Sequence, residues 1–487
     1  MSIYTYLRPV KQVYNGRVRT TKIVATVGPA CERASTLKAL ILAGADVLRI
    51  NASHTTPARL REWILLIRKV SGSLKKTVGI LVDLQGPRVR TGRLRGGGSL
   101  LLKKGAAVWI RPGPAPGGGA VITTPCLKFP RMVKTGDSVL LDNGLLQLRV
   151  LSLEKTGVRC RVLRGGLLRE NKGINLPHAP ATLPSLTKKD LADLAVAAGQ
   201  QVDYIALSFV RNESDVLALK SWLRRHKEIP VIAKIEKPSA VRQIRSVLAA
   251  ADGIMVARGD LGIEMGVEKV PAVQKRLIEE AHRAEVPVIT ATEMLETMME
   301  KLRPSRAEVS DVANAVFDGT DAVMLSGETA VGKYPVQAVR TMSSILLEAE
   351  RHIKAFSAGL SHPPGRRDPS PVHAITGAAL KAAEGLRAKA IVVFTLSGKT
   401  ALLVSLLKPA CPIITMAPSK AIRTRLTLLR GVIPLPMRRS SNTDEMIRQA
   451  NRSILQTGLL KRGDPVVVVS GKQALPGARY MAKIHLV

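Results

Sequence analysis

The segment Lys22-Ile-Val-Ala-Thr-Val27, followed by Ser35-Thr-Leu-Lys-Ala-Leu-Ile-Leu-Ala43 and then Asp46-Val-Leu-Arg-Ile50, decides the fold. The first and third runs are short and apolar at consecutive positions. A strand covered on both faces reads this way, whereas a half-exposed strand alternates. Between them Leu37, Leu40 and Ile41 recur at helical spacing. A strand–helix–strand unit of this kind builds a parallel sheet. The same run recurs at 78–83, 203–208, 231–235, 252–256, 287–291 and 321–325, with helical patterns at 187–198, 213–226 and 273–284. Eight such strands predict an α/β fold, a closed (β/α)8 TIM barrel; a doubly wound open sheet is the alternative.

Two intervals break the rhythm. From 87 to 182 no helical pattern appears, Gly and Pro cluster at 96–98 and 111–119, and Asp142-Asn143-Gly144 marks a tight turn. This reads as an all-β domain inserted after the third barrel strand. It carries 17 Lys/Arg against 4 Asp/Glu, so it is a cationic flap. The second interval, 361–371, is rich in Pro, Gly and charge and reads as a linker. Beyond it, a helix at 371–385, strands at 390–395, 412–416 and 465–469, and a helix at 400–407 predict a C-terminal α/β domain. The expected division is a basic extension at 1–20, the barrel at 21–86 and 183–348, the inserted lid at 87–182, and the C-terminal domain at 349–487.

A chain of 487 residues suits two to four domains at roughly 100–200 residues each. Apolar residues at 46% and charged residues at 23% exclude wholesale disorder. Aromatics are only 3%, which predicts an aliphatic core and disfavours a base-stacking single-strand binder. The net charge of +37 favours anionic partners: phosphorylated metabolites, nucleotides, nucleic acid or acidic lipid. Cys31, Cys126, Cys160 and Cys411 are scattered, so neither disulfides nor a cysteine zinc site is expected, and a reducing cytoplasm fits. No apolar run approaches the roughly 18 residues that span a bilayer. The first 31 residues are basic and acid-free, and read as a short extension rather than a transit peptide.

A barrel of this class carries its chemistry at the C-terminal ends of its strands. There the sequence places Arg49, Asn51, Ser53 and His54 after the second run, Asp83 at the third and Ser208 at the fourth. Lys234 and Glu236 follow at the fifth, Arg258, Gly259 and Asp260 at the sixth, Thr292 at the seventh, and Ser326, Gly327 and Glu328 at the eighth. A cap or a solvated charge would account for any one of these; seven strand ends so furnished exceed what capping explains. Lys234 and Glu236 flank Ile235, so both point one way. An ion pair alone would satisfy them, but Asp260 adds a second carboxylate. Two carboxylates with open positions suit Mg2+ (or Mn2+), which keeps waters and takes phosphate oxygens.

The segments Lys22-Ile-Val-Ala-Thr-Val-Gly-Pro, Arg49-Ile-Asn-Ala-Ser-His, Asp83-Leu-Gln-Gly-Pro-Arg-Val-Arg-Thr-Gly, Lys172-Gly-Ile-Asn-Leu-Pro, Ile232-Ala-Lys-Ile-Glu, Arg258-Gly-Asp-Leu-Gly, Ala291-Thr-Glu-Met-Leu-Glu and Met324-Leu-Ser-Gly-Glu-Thr-Ala closely resemble the pyruvate kinase family. The likeness runs from about residue 21 to the end, strongest in the barrel and weakest in the inserted domain. It implies transfer of the phosphoryl group of phosphoenolpyruvate to ADP, giving pyruvate and ATP, the last step of glycolysis. Arg49 and Lys234 would neutralise the moving phosphoryl group. Glu236 and Asp260 would hold the metal, and the Gly259 and Asp260 amides, opening a helix at Leu261, would hold the substrate carboxylate. Thr292 would belong to a water-mediated proton relay. Asn51, His54, Arg90 and Lys172 match nucleotide-contacting positions. The family is commonly tetrameric and allosteric.

One departure from the family pattern has consequences. Many members read Asp-Thr-Lys-Gly-Pro-Glu after the third strand and need K+. Here Leu84, Gln85 and Arg88 stand at the variable positions, which resembles a K+-independent branch. A tethered guanidinium can supply charge otherwise brought by an ion, so K+ is not expected to be required. In the C-terminal domain, Thr395-Leu-Ser-Gly-Lys-Thr400 ends like a P-loop, but position 393 is Val where that motif needs Gly. Thr395, Ser397, Gly398, Lys399 and Thr400 are instead a candidate phosphate nest for an effector, with a partner loop at 470–477. Rival readings are a nonspecific nucleic-acid binder, another Mg2+-dependent barrel enzyme of phosphoenolpyruvate or a pyruvate enolate, and a chain that has lost activity.

Overall fold

The structure, a computed structural model, describes residues 13–14, 17–177, 183–356, 370–440, 442–471 and 479–487. The strands Lys22–Val27, Val47–Asn51, Gly79–Asp83, Tyr204–Leu207, Val231–Ile235, Gly253–Ala257, Val288–Ala291 and Ala322–Leu325 form one closed parallel barrel. Closure is made where Tyr204 faces Leu81 and where Ala322 faces Lys22. An open sheet would leave two of these strands at edges, so the barrel reading stands and the doubly wound alternative falls.

Consecutive apolar residues serve two cores at once. Val24, Val47, Leu81, Ile232, Met255, Ile289 and Met324 fill the barrel interior. Their neighbours Ile23, Ala25, Leu48, Ile80, Ile254 and Val323 pack outward against the helices. The lower end of the interior is closed from outside the barrel: Leu428 of the C-terminal domain joins that inner core at 1% exposure. Around it Lys22 Nζ donates to the Val432 carbonyl (2.8 Å), Tyr204 Oη to the Arg425 carbonyl (2.8 Å), and Arg430 to Thr21 Oγ1 (2.9 Å) and the Thr320 carbonyl (3.1 Å). The barrel floor and the C-terminal domain thus share buried polar groups that neither could satisfy alone.

Between the third and fourth barrel strands the chain builds the lid. Its main sheet has six strands, with Leu146–Glu154 and Gly157–Arg164 as a long central hairpin, and a second sheet pairs Ser99–Leu102 with Gly166–Arg169. The lid has its own core around Val108, Ile110, Phe129, Leu148 and Val162. The outgoing and returning chains touch at its root: Thr91 N donates to the Lys172 carbonyl (2.8 Å) and Arg90 bridges to Gly173. Residues 178–182 of the return lie outside the described residues, as do 1–12 of the N-terminal extension and 361–369 of the expected linker.

Helix Pro335–Phe356 runs through the 348/349 division expected from sequence. Met342, Leu346 and Ala349 are buried in the barrel's core and Ile353 packs on it, so one apolar stripe carries the helix past that point. After Ser370 the C-terminal domain forms a five-stranded sheet, ordered Val432–Pro436, Ile413–Ala417, Ala390–Phe394, Pro465–Ser470, Met481–Leu486. The first four strands are parallel and the last is an antiparallel edge. No helix among the described residues is long and apolar enough to cross a membrane.

Candidate active site

Four consecutive barrel strands, the second to the fifth, bring their ends to one charged cluster. Asp83 is 1% exposed and sits at its centre. Arg49 binds it through Nε (2.8 Å) and Nη2 (2.7 Å), and the same guanidinium donates to Thr26 Oγ1 (3.0 Å). On its other side Lys234 Nζ lies 3.3 Å from Asp83 Oδ1, 2.8 Å from Glu236 Oε1, and donates to Ser208 Oγ at 2.8 Å. The spacing of Lys234 and Glu236 about Ile235 puts both on the face toward this cluster.

The electrostatics follow from burial and charge partners. Burial alone would raise Asp83, but Lys234 and Arg49 hold its carboxyl below the usual range. Burial works to lower Lys234, yet Asp83 and Glu236 keep its ammonium above its ordinary value. Burial pushes Glu236 up; Asp260 and Asp83 add to this while Lys234 opposes it. Glu236 is the strained member. Its Oε2 accepts the Phe209 amide (2.7 Å), while Oε1 is buried with no hydrogen bond of good geometry despite the nearby ammonium. Phe209 makes that donation from a left-handed backbone, φ +57°, which costs energy for a bulky residue.

A divalent metal fits this donor set. Glu236 Oε1 is buried with only the Lys234 ammonium beside it among the described residues, and the Asp260 carboxylate lies close enough to disfavour its ionisation. A cation would satisfy both. Among the described residues no group of three or more His, Cys, Asp or Glu converges. Oxygen ligation with positions left open suits Mg2+ or Mn2+ better than zinc.

The sixth and seventh strand ends form the next wall. Helix Arg258–Met265 starts three residues earlier than the pattern at Leu261 indicates. Gly-Asp-Leu-Gly has no apolar periodicity to mark a start, and Ala257 supplies no side-chain cap. Gly259 and Asp260 therefore lie in the first turn, where amides lack an intrahelical acceptor. Gly259 N donates to Thr292 Oγ1 (2.8 Å), and that hydroxyl donates to the Ala291 carbonyl (2.6 Å). Thr292 holds φ +69° and Glu293 φ +55°. A β-branched residue in that region is strained, and Arg258 clamps the turn by donating to the Thr292 carbonyl (2.7 Å) while paired with Asp311 (2.6 Å). Glu328, after the eighth strand, accepts Leu295 N (3.0 Å) and Ser326 N (2.7 Å) and supports the same turn.

The expected nucleotide positions lie at the second strand end and the root of the lid. Asn51 Oδ1 accepts Ser53 N (3.2 Å) and caps the short helix Ala52–His54. Partial burial, then Arg90, Arg49, Arg88 and Lys189, hold the His54 imidazole below its ordinary range. Arg90 donates to the Asn171 carbonyl (3.2 Å), and Lys172 Nζ pairs with Asp142 (2.9 Å), so both belong to the root of the lid.

The Leu84 side chain is fully buried in the core beneath the helices and carries no oxygen, while its carbonyl accepts Ser208 Oγ (2.7 Å); Gln85 is half-buried. Arg88 turns away from Asp83: its guanidinium donates to Asn143 Oδ1 (3.2 Å) and lies against Gly173 in the lid. In the C-terminal domain, the expected nest is partly self-satisfied. Thr395 Oγ1 accepts Gly398 N (2.9 Å), Ser397 Oγ accepts Lys399 N (3.4 Å), and Gly398 takes φ +92°. Lys399 Nζ pairs with Glu285 of the barrel (2.6 Å), which also holds His373. Thr400 is buried against Gly471, and of the partner loop at 470–477, residues 472–477 lie outside the described residues.

Sequence reasoning noted Ser208 and Arg258 at strand ends without giving them work, and it missed the Phe209 amide. Nothing local marks a backbone donor; only the fold brings it to Glu236.

Two family models match the chain: the pyruvate kinase barrel domain over residues 18–339 and the pyruvate kinase alpha/beta domain over 373–485. A pyruvate kinase of Mycobacterium tuberculosis is 42% identical over 460 residues, covering 94% of this chain and 96% of that protein. Pyruvate kinase 2 of a Synechocystis species is 42% identical over 474 residues, covering 96% and 79%. A crystal structure described as a pyruvate kinase from Cryptosporidium parvum superposes with a TM-score of 0.89 at 33% identity, covering 98% of this chain and 97% of that one.

Proposed function

The chain belongs to the pyruvate kinase family, an assignment that makes it a phosphotransferase passing the phosphoryl group of phosphoenolpyruvate to ADP, and from that premise we propose which residues do the work and that no K+ is needed. The observation that carries the reading is the position of the Lys234 ammonium, within 3.3 Å of Asp83, Glu236 and Ser208 at the barrel mouth.

Phosphoryl transfer needs charge and alignment more than covalent chemistry. The bridging P–O bond of the enol phosphate breaks as a β-phosphate oxygen of ADP bonds to phosphorus. Arg49 and Lys234 face the charge spread over the phosphoryl oxygens. Glu236 and Asp260 would hold Mg2+ or Mn2+, which would supply further positive charge there. The first-turn amides of Gly259 and Asp260 receive the substrate carboxylate, Gly259 N exchanging its Thr292 Oγ1 acceptor for it. Lys234 then stabilises the enolate until carbon is protonated. Thr292 serves this step through water, because its own proton is already donated to the Ala291 carbonyl. Asn51, His54, Arg90 and Lys172 take the nucleotide, the last two arriving as the cationic lid closes and excludes water.

K+-independence rests on three features. Leu84 has no side-chain oxygen, and its carbonyl already accepts Ser208 Oγ (2.7 Å). Both Asp83 oxygens already meet tethered groups, Arg49 on one and Lys234 with Ser208 on the other. Arg88, hydrogen-bonded to Asn143 in the lid, adds to the positive charge that holds the His54 imidazole low. Pyruvate release from phosphoenolpyruvate with ADP and Mg2+ tests it directly. Turnover without K+ is expected within about twofold of turnover with KCl. Near-zero turnover restored by KCl rejects the proposal.

Assembly and regulation extend the same reading. The edge strand Met481–Leu486 exposes Ile484 (56%) and Leu486 (61%), which is costly for an edge left unpaired. A homotetramer covers it. Sedimentation is expected at four chains of 52.4 kDa each, with Ile484→Lys shifting the protein to smaller species; a wild-type monomer excludes this. The 395–400 loop lies where the strand order of the sheet reverses, the usual ligand crevice of such sheets. A phosphorylated effector there would draw Lys399 from Glu285. Lys399→Ala is expected to lose activation by sugar or nucleotide phosphates, and a variant activated as the parent chain is would rule the loop out. The four cysteines are unpaired, and burial raises the thiols of Cys31 and Cys411 to about 11. This fits work in a reducing cytoplasm.

A further inference from the structure

The two crossings that carry the lid form one wall of a cleft, with Pro87–Val89 on the outgoing chain and Asn175–Pro177 on the return. The other wall is barrel: Phe209, Arg211, Lys237, Ser239 and Arg242. The cleft has a volume of about 170 Å3 and opens to solvent. None of Arg49, Lys234, Asp260, Thr292, His54, Arg90 or Lys172 lines it.

Its lining is unusual in three respects. The apolar part is substantial, with Met132, Leu176, Leu183 and the Phe209 ring. Four cations reach it and no carboxylate does. Two of them are already neutralised: Arg211 by Asp215 (2.6 Å) and Lys237 by Glu264 (2.5 Å). Arg88 has only the Asn143 amide oxygen, and the Arg242 guanidinium has no ion pair or hydrogen bond among the described residues. Finally, Asn175 is 4% exposed and gives its Nδ2 to Glu264 (3.0 Å), leaving Oδ1 buried without a partner. An orphaned acceptor in a wall of a cationic, partly apolar cleft is what a ligand with a donor would complete.

We propose that this cleft binds an amphipathic organic anion, a flat apolar body bearing a phosphate or carboxylate, with Arg88 and Arg242 on the charge and Phe209 under the body. Guanidinium groups pair with such anions through parallel N–H bonds. Occupancy reaches the chemistry by two short paths. It rests on both crossings that let the lid move. It also rests on Phe209, whose strained amide holds Glu236 at 2.7 Å.

The test is a fluorescence titration of the whole protein with 1-naphthyl phosphate, at saturating phosphoenolpyruvate and Mg2+ without ADP. Saturable binding is expected to persist, with 1-naphthol and inorganic phosphate each at least about tenfold weaker. 1-Naphthoate in place of the phosphate separates carboxylate from phosphate as the preferred group. Arg242→Glu is expected to weaken naphthyl phosphate at least about tenfold, and Ser239→Phe to block it by filling the cleft. The bound probe is expected to shift the KM for ADP more than kcat. Displacement of the probe by phosphoenolpyruvate, unchanged affinity in Arg242→Glu, or equal potency of inorganic phosphate would overturn the site. Binding with no change in KM would overturn its link to the lid. These readings do not depend on the K+ result.

Discussion

Lys234→Met is expected to lower kcat/KM for phosphoenolpyruvate by about a thousandfold or more, since removing one preorganised donor from a water-excluded site costs 10²–10³ and this group serves both the phosphoryl and the enolate. Among the described residues the ammonium is the only cation within 4 Å of Glu236, and it shares Asp83 with Arg49. Methionine keeps the volume and removes the charge. The two carboxylates, each 1% exposed, then lose a counter-charge and take up protons more readily. Part of the loss could therefore come from a disturbed cluster rather than from missing catalysis. Thermal unfolding and Mn2+ binding of the same variant separate the two. A folded variant that binds Mn2+ and still releases no pyruvate places the loss in chemistry. Equal pyruvate output from both proteins would remove Lys234 from the mechanism.

Glu236→Gln is expected to weaken Mn2+ binding at least about a hundredfold, measured by calorimetry without substrate, and to lower activity by a comparable factor. The amide is isosteric, and its oxygen can still accept the Phe209 amide, so the backbone need not move. What disappears is the negative charge beside Asp260. The substitution also relieves the repulsion that pushes Glu236 up, so the variant should fold at least as well as the parent chain. Unaltered Mn2+ affinity would place the metal elsewhere. Because the readout is binding, the result does not depend on turnover.

The barrel was legible because its strands are covered on both faces. Such strands carry unbroken apolar runs, and Lys22–Val27 and Val231–Ile235 end where the pattern ends. The helix at Arg258 was less legible, because its first turn is Gly-rich and its N-cap is Ala257. The later C-terminal elements, Lys420–Leu426, Val432–Pro436 and Thr443–Thr457, were not read from sequence. The strand Val432–Pro436 begins and ends among Gly and Pro, and its assignment rests on pairing with Ile413–Ala417. The charged cluster was legible in membership and not in wiring. Lys234, Glu236 and Asp83 announce themselves as polar groups at the ends of apolar runs, whereas Ser208 becomes a partner of Lys234 only through strand pairing.

Local pattern alone determined the eight strands, the inserted cationic lid and which side chains crowd the barrel mouth, because each depends on a few neighbouring residues and the fixed direction of a parallel strand. Only the tertiary structure decided that Arg88 bonds to the lid rather than to Asp83, that Phe209 turns its amide onto Glu236, and that Leu428 seals the barrel from another domain. Those contacts join residues far apart in the chain, and their geometry is set by how the domains pack, which no short stretch of sequence encodes.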